Sequence, residues 1–123
     1  MSWKHYKELI VWQKSMDLVE SVYSLTKSLP SDERYALTDQ IRRAVVLIPS
    51  NIAEGHGRQT DKEYKQYLSI AKGSVSEVET QLMICVRLNY LTEQQTESVL
   101  VLCDEIRRML TKIITTFQFP HQE

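Results

Sequence analysis

Glycine and proline are scarce in this 123-residue chain, three of each. A strand-rich fold needs turn residues every roughly eight to twelve positions, so this scarcity excludes an all-β protein and leaves breakers enough for three turns between helices. A dominant charge is lacking too. Fifteen Lys and Arg stand against sixteen Asp and Glu, for a net charge of −1 and a pI near 6.3, which removes the overall basic field of many nucleic-acid binders and leaves only a local patch open. No uncharged apolar run approaches the length of a membrane span. The start Met1-Ser-Trp-Lys-His5 carries no apolar leader core, so neither insertion nor export is expected and the cytoplasm is the expected compartment. Cysteine is limited to Cys85 and Cys103. The helix register derived below offsets them by about five residues, roughly 7 Å along adjacent helices, too far for an easy bridge. Both read as packing residues of a reducing compartment. What remains is ordinary globular material, 42% hydrophobic and 25% charged, with no repeat or low-complexity linker. One domain with one core is expected.

Apolar residues recur at three-and-four spacing rather than alternating. Leu9, Trp12, Met16, Val19 and Tyr23, widened by Leu18, Val22 and Leu25, predict a first helix over about 6–27. Pro30 stops it, and Ser31 is placed to cap a second helix over 32–55, with Asp32 and Glu33 at the positive end of its dipole. Its stripe is Leu37, Ile41, Ala44 or Val45, Ile48 and Ile52. Pro49 lies inside it and predicts a kink, the alternative being a stop at Ile48. Gly55 and Gly57 supply the end. Thr60-Asp-Lys-Glu63 is a capping box that opens a third helix over 61–89, whose stripe Tyr64, Leu68, Ala71, Val75, Val78, Leu82 and Cys85 keeps a heptad rhythm. Thr92-Glu-Gln-Gln95 repeats the capping logic for a fourth helix over 93–117, with stripe Val99, Leu102, Ile106, Met109 and Ile113. The tail Phe119–Glu123 is expected to fray. Four long helices joined by short turns must run up and down, so the expected fold is an all-α antiparallel four-helix bundle.

Three segments are apolar around most of a helix: Val45–Ile48, Met83–Val86 and Val99–Leu102. Surfaces of that kind meet a partner, and self-association is the expected consequence. Polar residues also recur at helical spacing. Gln40, Arg43, Asn51, Glu54 and Arg58 fall on one flank of the second helix, interrupted by Leu47, and Ser74, Glu77 and Gln81 on a matching flank of the third. Antiparallel pairing sets Arg43 opposite Ser74 and Glu77, which predicts a partly buried Arg43–Glu77 ion pair. Gly73 beside it offers room for close approach. Such a network either fixes helix register or forms a binding site, and register control is the preferred reading. A basic group, Arg42, Arg58, Lys62, Lys65 and Lys72, is assigned to the second turn and the start of the third helix, with Arg107, Arg108 and Lys112 on the fourth.

Enzyme signatures are missing. A carboxylate-bridged metal bundle needs Glu-x-x-His repeats, and the residues three before His5, His56 and His121 are Ser2, Ala53 and Gln118. The Arg-before-His spacing of a helical ribonuclease is absent at both later histidines. Gly55-His-Gly57-Arg58 lacks the spacing of a phosphate loop. His56 beside Glu54 reads as a solvent-facing turn residue rather than an acid or base. No catalytic, cofactor or metal residue is assigned.

The strings Tyr6–Gln13, Tyr35–Ala44, Ile48-Pro-Ser-Asn51-Ile-Ala-Glu54-Gly55 and Ala71-Lys-Gly73-Ser74-Val-Ser-Glu77-Val-Glu-Thr-Gln81-Leu82 resemble the four-helix-bundle proteins encoded in intervening sequences of bacterial large-subunit (23S) ribosomal RNA genes. The resemblance runs from about Tyr6 to Tyr90, and Arg58 fits its pattern. It implies an up-down bundle assembled into a ring-like homopentamer. Similarity to the accessory variability determinant proteins of retroelements, which are pentameric and bind nucleic acid and a reverse transcriptase, suggests nucleic acid or a nucleic-acid-processing protein as partner. Two functions stay open: a non-enzymatic oligomeric module that binds such a partner, and a protein-interaction scaffold without nucleic acid.

Overall fold

The computed structural model describes residues 5–117. Four α-helices carry the chain: α1 (Ile10–Thr26), α2 (Leu37–His56), α3 (Asp61–Arg87) and α4 (Glu93–Thr116). Single 3-10 turns at Tyr6–Glu8 and Ser31–Glu33 precede α1 and α2, and no strand occurs among the described residues. Contacts join α1 to α2, α2 to α3, α3 to α4 and α4 back to α1, while the diagonal pairs do not meet. This is a square antiparallel bundle, packed most extensively between α2 and α3. The expected fraying of Phe119–Glu123 lies outside the described residues.

The ends of the helices explain where the expected boundaries shift. α1 begins at Ile10 rather than Tyr6, because Leu9 is extended (φ −74°, ψ 126°) and the His5 ring nitrogen accepts the Lys7 N–H at 3.3 Å, closing a separate short turn. α2 begins at Leu37 rather than residue 32. The capping role expected of Ser31 falls to Glu33, whose Oε1 accepts the Leu37 N–H at 3.3 Å while its other oxygen accepts the Tyr90 hydroxyl at 2.8 Å. That hydrogen bond is the chief reason the Tyr90 phenol is held above its usual pKa. α2 passes through the buried Pro49 to His56, so the alternative stop at Ile48 does not occur. Thr60 accepts the Glu63 N–H at 3.1 Å, and Thr92 and Gln95 complete a reciprocal capping box at α4. α3 closes with Asn89 in the left-handed region (φ 64°), which lets the Tyr90 N–H turn back to the Cys85 carbonyl at 2.8 Å.

The core confirms the α3 stripe from Leu68 to Cys85, every member of which is buried, with Tyr64 partly covered at its head. In α2 the buried line is Ile41, Ala44, Val45, Ile48 and Ile52, with Leu37 at its edge. α1 is rotated from expectation. Its buried line is Val11, Ser15, Leu18, Val22 and Thr26, whereas Met16 and Tyr23 face outward. Two polar residues stand in that line because their hydroxyls donate back to the helix, Ser15 to the Val11 carbonyl at 2.7 Å and Thr26, at its end, to that of Val22 at 2.8 Å. α4 likewise buries Val99, Cys103, Ile106, Leu110 and Ile114, leaving Leu102, Met109 and Ile113 at its flanks. Both cysteines are free and buried, and burial raises their thiols to a pKa of about 11 for Cys85 and about 12 for Cys103.

Close helix approach occurs at Gly55 and not at Gly73. A Cβ on Gly55 would lie 2.6 Å from Tyr67 Cβ, so only a hydrogen lets α2 pass α3 there, whereas a Cβ on Gly73 would meet nothing within 4 Å.

Candidate interaction faces

The polar flank expected between α2 and α3 does not form an internal network. Gln40, Arg43, Glu54 and Glu77 are exposed, and Asn51 is half-buried with its amide donating to the Leu47 carbonyl at 2.8 Å. The expected Arg43–Glu77 ion pair is absent. Ser74 and Gln81 of α3 are buried, but Gln81 Oε1 has no hydrogen-bond partner among the described residues. Glu54 pairs instead with Arg58, one turn on. Arg58 also donates to the Tyr67 hydroxyl at 2.8 Å and stacks over that ring, 4.9 Å from its centroid. The Tyr67 oxygen and the Glu54 carboxylate both raise its pKa, so its charge is fixed.

The basic group separates into two places. Arg58, Lys62 and Lys65 sit at the α2–α3 turn, where an open depression is lined by Arg58, Lys62, Glu63 and Gln66. Lys72 lies seven residues beyond Lys65 on the same line of α3, roughly 10 Å away. Arg42 is not with them. It lies sixteen residues before Arg58, roughly 24 Å along the bundle, and is committed to α1, donating to Thr26 Oγ1 at 3.0 Å and the Tyr23 carbonyl at 3.2 Å, with its guanidinium 4.6 Å from the Tyr23 ring centroid. Lys62, Lys65 and Lys72 make no ion pair among the described residues.

The line of Lys65 and Lys72 continues to Glu79, which binds Arg107 of α4 at 2.7 Å, so these lysines flank the α3–α4 seam. Arg107 also reaches Asp104 at 2.8 Å, and so does Arg108. Antiparallel packing gathers residues 5–17, 48–73 and 105–117 in the half of the bundle nearest the α2–α3 turn, as the Tyr64–Phe117 and His56–Tyr64 ring contacts mark. That half carries nine Lys and Arg against six Asp and Glu, net +3. The other half, residues 18–47 and 74–104, carries five against nine, net −4. A slightly acidic chain is thus polarised along its axis, a property that total charge hides.

Two further surface features lie in the acidic half, at opposite seams. Between α3 and α4 runs a groove walled by Met83, Val86, Leu100 and Val101, with Glu93, Glu97 and Asp104 along its α4 wall and Arg87 on α3. At the α1–α2 seam, Tyr23, Val46 and Leu47 surround Arg42 and Arg43, with Asp39 beside them. The apolar side chains belong to the segments singled out as apolar all round: Val46 is 39% exposed, Leu47 45%, Met83 52% and Val101 64%. Their placement on two faces follows from the angular position of each residue, which the runs alone do not reveal.

Among the described residues no cluster of three His, Cys, Asp or Glu can hold a metal ion, and no helix is long and apolar enough to cross a membrane. His56 is the last residue of α2, half-buried and edge-on to Tyr64, with ring centroids 5.9 Å apart.

A family model described as 23S rRNA-intervening sequence protein matches residues 7–112. A crystal structure of a protein of unknown function from the S23 ribosomal protein family, from Bacteroides thetaiotaomicron, is similar with a TM-score of 0.77 and 27% identity, over 85% of this chain and 98% of that one. No curated protein matches the chain.

Proposed function

Because the chain belongs to the 23S rRNA-intervening sequence protein family, we propose that it acts without catalysis, as a homo-oligomeric bundle whose basic half binds RNA, DNA or a protein that processes them. The axial polarisation carries this proposal. An overall charge of −1 argues against a nucleic-acid field, but a net +3 half with three lysines, Lys62, Lys65 and Lys72, that make no ion pair among the described residues offers phosphates a local one. The assembly we propose is a homopentamer in the cytoplasm, a compartment that suits two free thiols. In a ring the same modest patch recurs in every subunit, and repetition turns weak contacts into avidity. Arg58 sits at the edge of the patch as a fixed cation. Arg42 has no part in it.

Anisotropy titrations against a structured RNA and a duplex DNA, run from about 50 to 200 mM salt, test this. Affinity should fall steeply with salt, and replacing Lys62, Lys65 and Lys72 together by Gln should flatten that dependence. No binding at low salt, or binding indifferent to salt, overturns the nucleic-acid half of the proposal. The acid-walled apolar groove between α3 and α4 favours a second reading, a protein-interaction scaffold, which survives that outcome.

A further inference from the structure

The two patches in the acidic half complement each other. One, at the α1–α2 seam, is apolar with two cations, Arg42 and Arg43, against one carboxylate, Asp39. The other, at the α3–α4 seam, is apolar with three carboxylates, Glu93, Glu97 and Asp104, the last already paired with Arg107 and Arg108, against one cation of its own lining, Arg87. They lie on opposite sides of the square, because α1–α2 and α3–α4 are its opposite edges. Both lie in the half of the bundle away from the α2–α3 turn, within residues 18–47 and 74–104. Among the described residues Arg43, Glu93 and Glu97 make no ion pair.

We infer that, given the self-association proposed above, the α1–α2 patch of one copy docks head-to-tail into the α3–α4 groove of the next. Val46 and Leu47 enter between Met83 and Val101, and Arg43 meets Glu97 at the acidic wall. A nucleic acid cannot take the groove, since its phosphates would face Glu93, Glu97 and Asp104. Two copies face to face through one patch would set like charges together, groove against groove or arginines against arginines, which is destabilising. Contact between two different patches is heterologous, and such contacts close into rings when the rotation between neighbours allows.

Two variants at exposed positions test the contact, each checked for native helicity: Val46→Asp blocks the patch, and Val101→Asp blocks the groove. Native mass measurement and light scattering at tens of micromolar should find the unaltered protein oligomeric and each variant monomeric, with association weakened at least about tenfold. Mixed together they should form a one-to-one dimer and nothing larger, since the pair retains one working patch and one working groove. Oligomers that persist in both variants overturn this contact while leaving self-association intact. Variants that stay monomeric when mixed overturn its head-to-tail geometry. A monomeric unaltered protein overturns both this contact and the self-association it rests on.

Discussion

Replacing Gly55 by alanine tests how closely α2 and α3 approach. The added methyl would lie 2.6 Å from Tyr67 Cβ and 3.1 Å from Tyr64 Cδ1. Tyr67 Cβ is bonded to its backbone and cannot swing aside, so the helices must part by about 1 Å to restore ordinary carbon contact. Overpacking costs about 1–3 kcal/mol, and an anchored neighbour places this case near the upper figure. Alanine returns about 1 kcal/mol of helix propensity over glycine. The expected net loss is about 2 kcal/mol, or roughly 8 °C in Tm for a chain of this size. Gly73→Ala is the control: it gains the same propensity where nothing lies within 4 Å of the new methyl, so stability should rise by about 1 kcal/mol. Urea denaturation followed by far-ultraviolet circular dichroism, at two protein concentrations so that assembly shows as a shifting midpoint, measures both. A Gly55→Ala protein as stable as the unaltered one refutes the close approach.

Arg107 joins Glu79 and Asp104 with 28% of its side chain exposed and only 16% of Glu79, so Arg107→Ala should cost about 1–2 kcal/mol in denaturant, between exposed and buried pairs. Lys62→Ala should cost nothing measurable by the same assay. Thr92→Ala removes half of the α4 capping box and should lower stability by about 1 kcal/mol in thermal melts, with Thr92→Ser retaining most of it. Burial raises the Cys85 and Cys103 thiols from 9.0 to about 11 and about 12. The folded state therefore keeps protons the unfolded chain releases, so their contribution is complete below pH 9 and is lost as pH rises toward 11 and 12. Cys85→Ala with Cys103→Ala should flatten the decline in unfolding free energy above pH 9, toward pH 11, and an unchanged slope would count against burial as the cause.

How much of this was legible in advance varies by helix. α3 was readable because its stripe, Leu68, Ala71, Val75, Val78, Leu82 and Cys85, is apolar throughout, so the heptad showed even with Ser74 and Gln81 buried beside it. α1 misled because Ser15 and Thr26 occupy core positions in polar form, and only their bonds to the preceding turn reveal how they can be buried. The α2–α3 flank misled for a different reason. Antiparallel numbering estimates height along the bundle but says nothing of rotation. Arg43 lies two residues past Ile41, and Glu77 two past Val75, each roughly 200° around its helix from a fully buried neighbour. The same limit scattered the basic group, where Arg42 proved to stand with α1. The two apolar patches were visible as runs, but their opposition depends on how the square closes.

The square closes in a fixed order of chain separation, and that order bears on how the protein folds. α2 and α3 are joined by four residues, Gly57 to Thr60, and share the most extensive packing. Their hairpin therefore needs the least loop-closure entropy for the most buried surface. The α1–α4 edge, tied by Lys14 and Glu105 at 3.0 Å, joins segments some ninety residues apart and cannot form until nearly the whole chain has been synthesised. A nascent chain thus holds the Gly55 crossing early and leaves α1 half-covered until α4 arrives. Substitutions along Ile48, Ile52 and Leu68 should slow refolding, and those along Val11 and Ile114 should chiefly hasten unfolding.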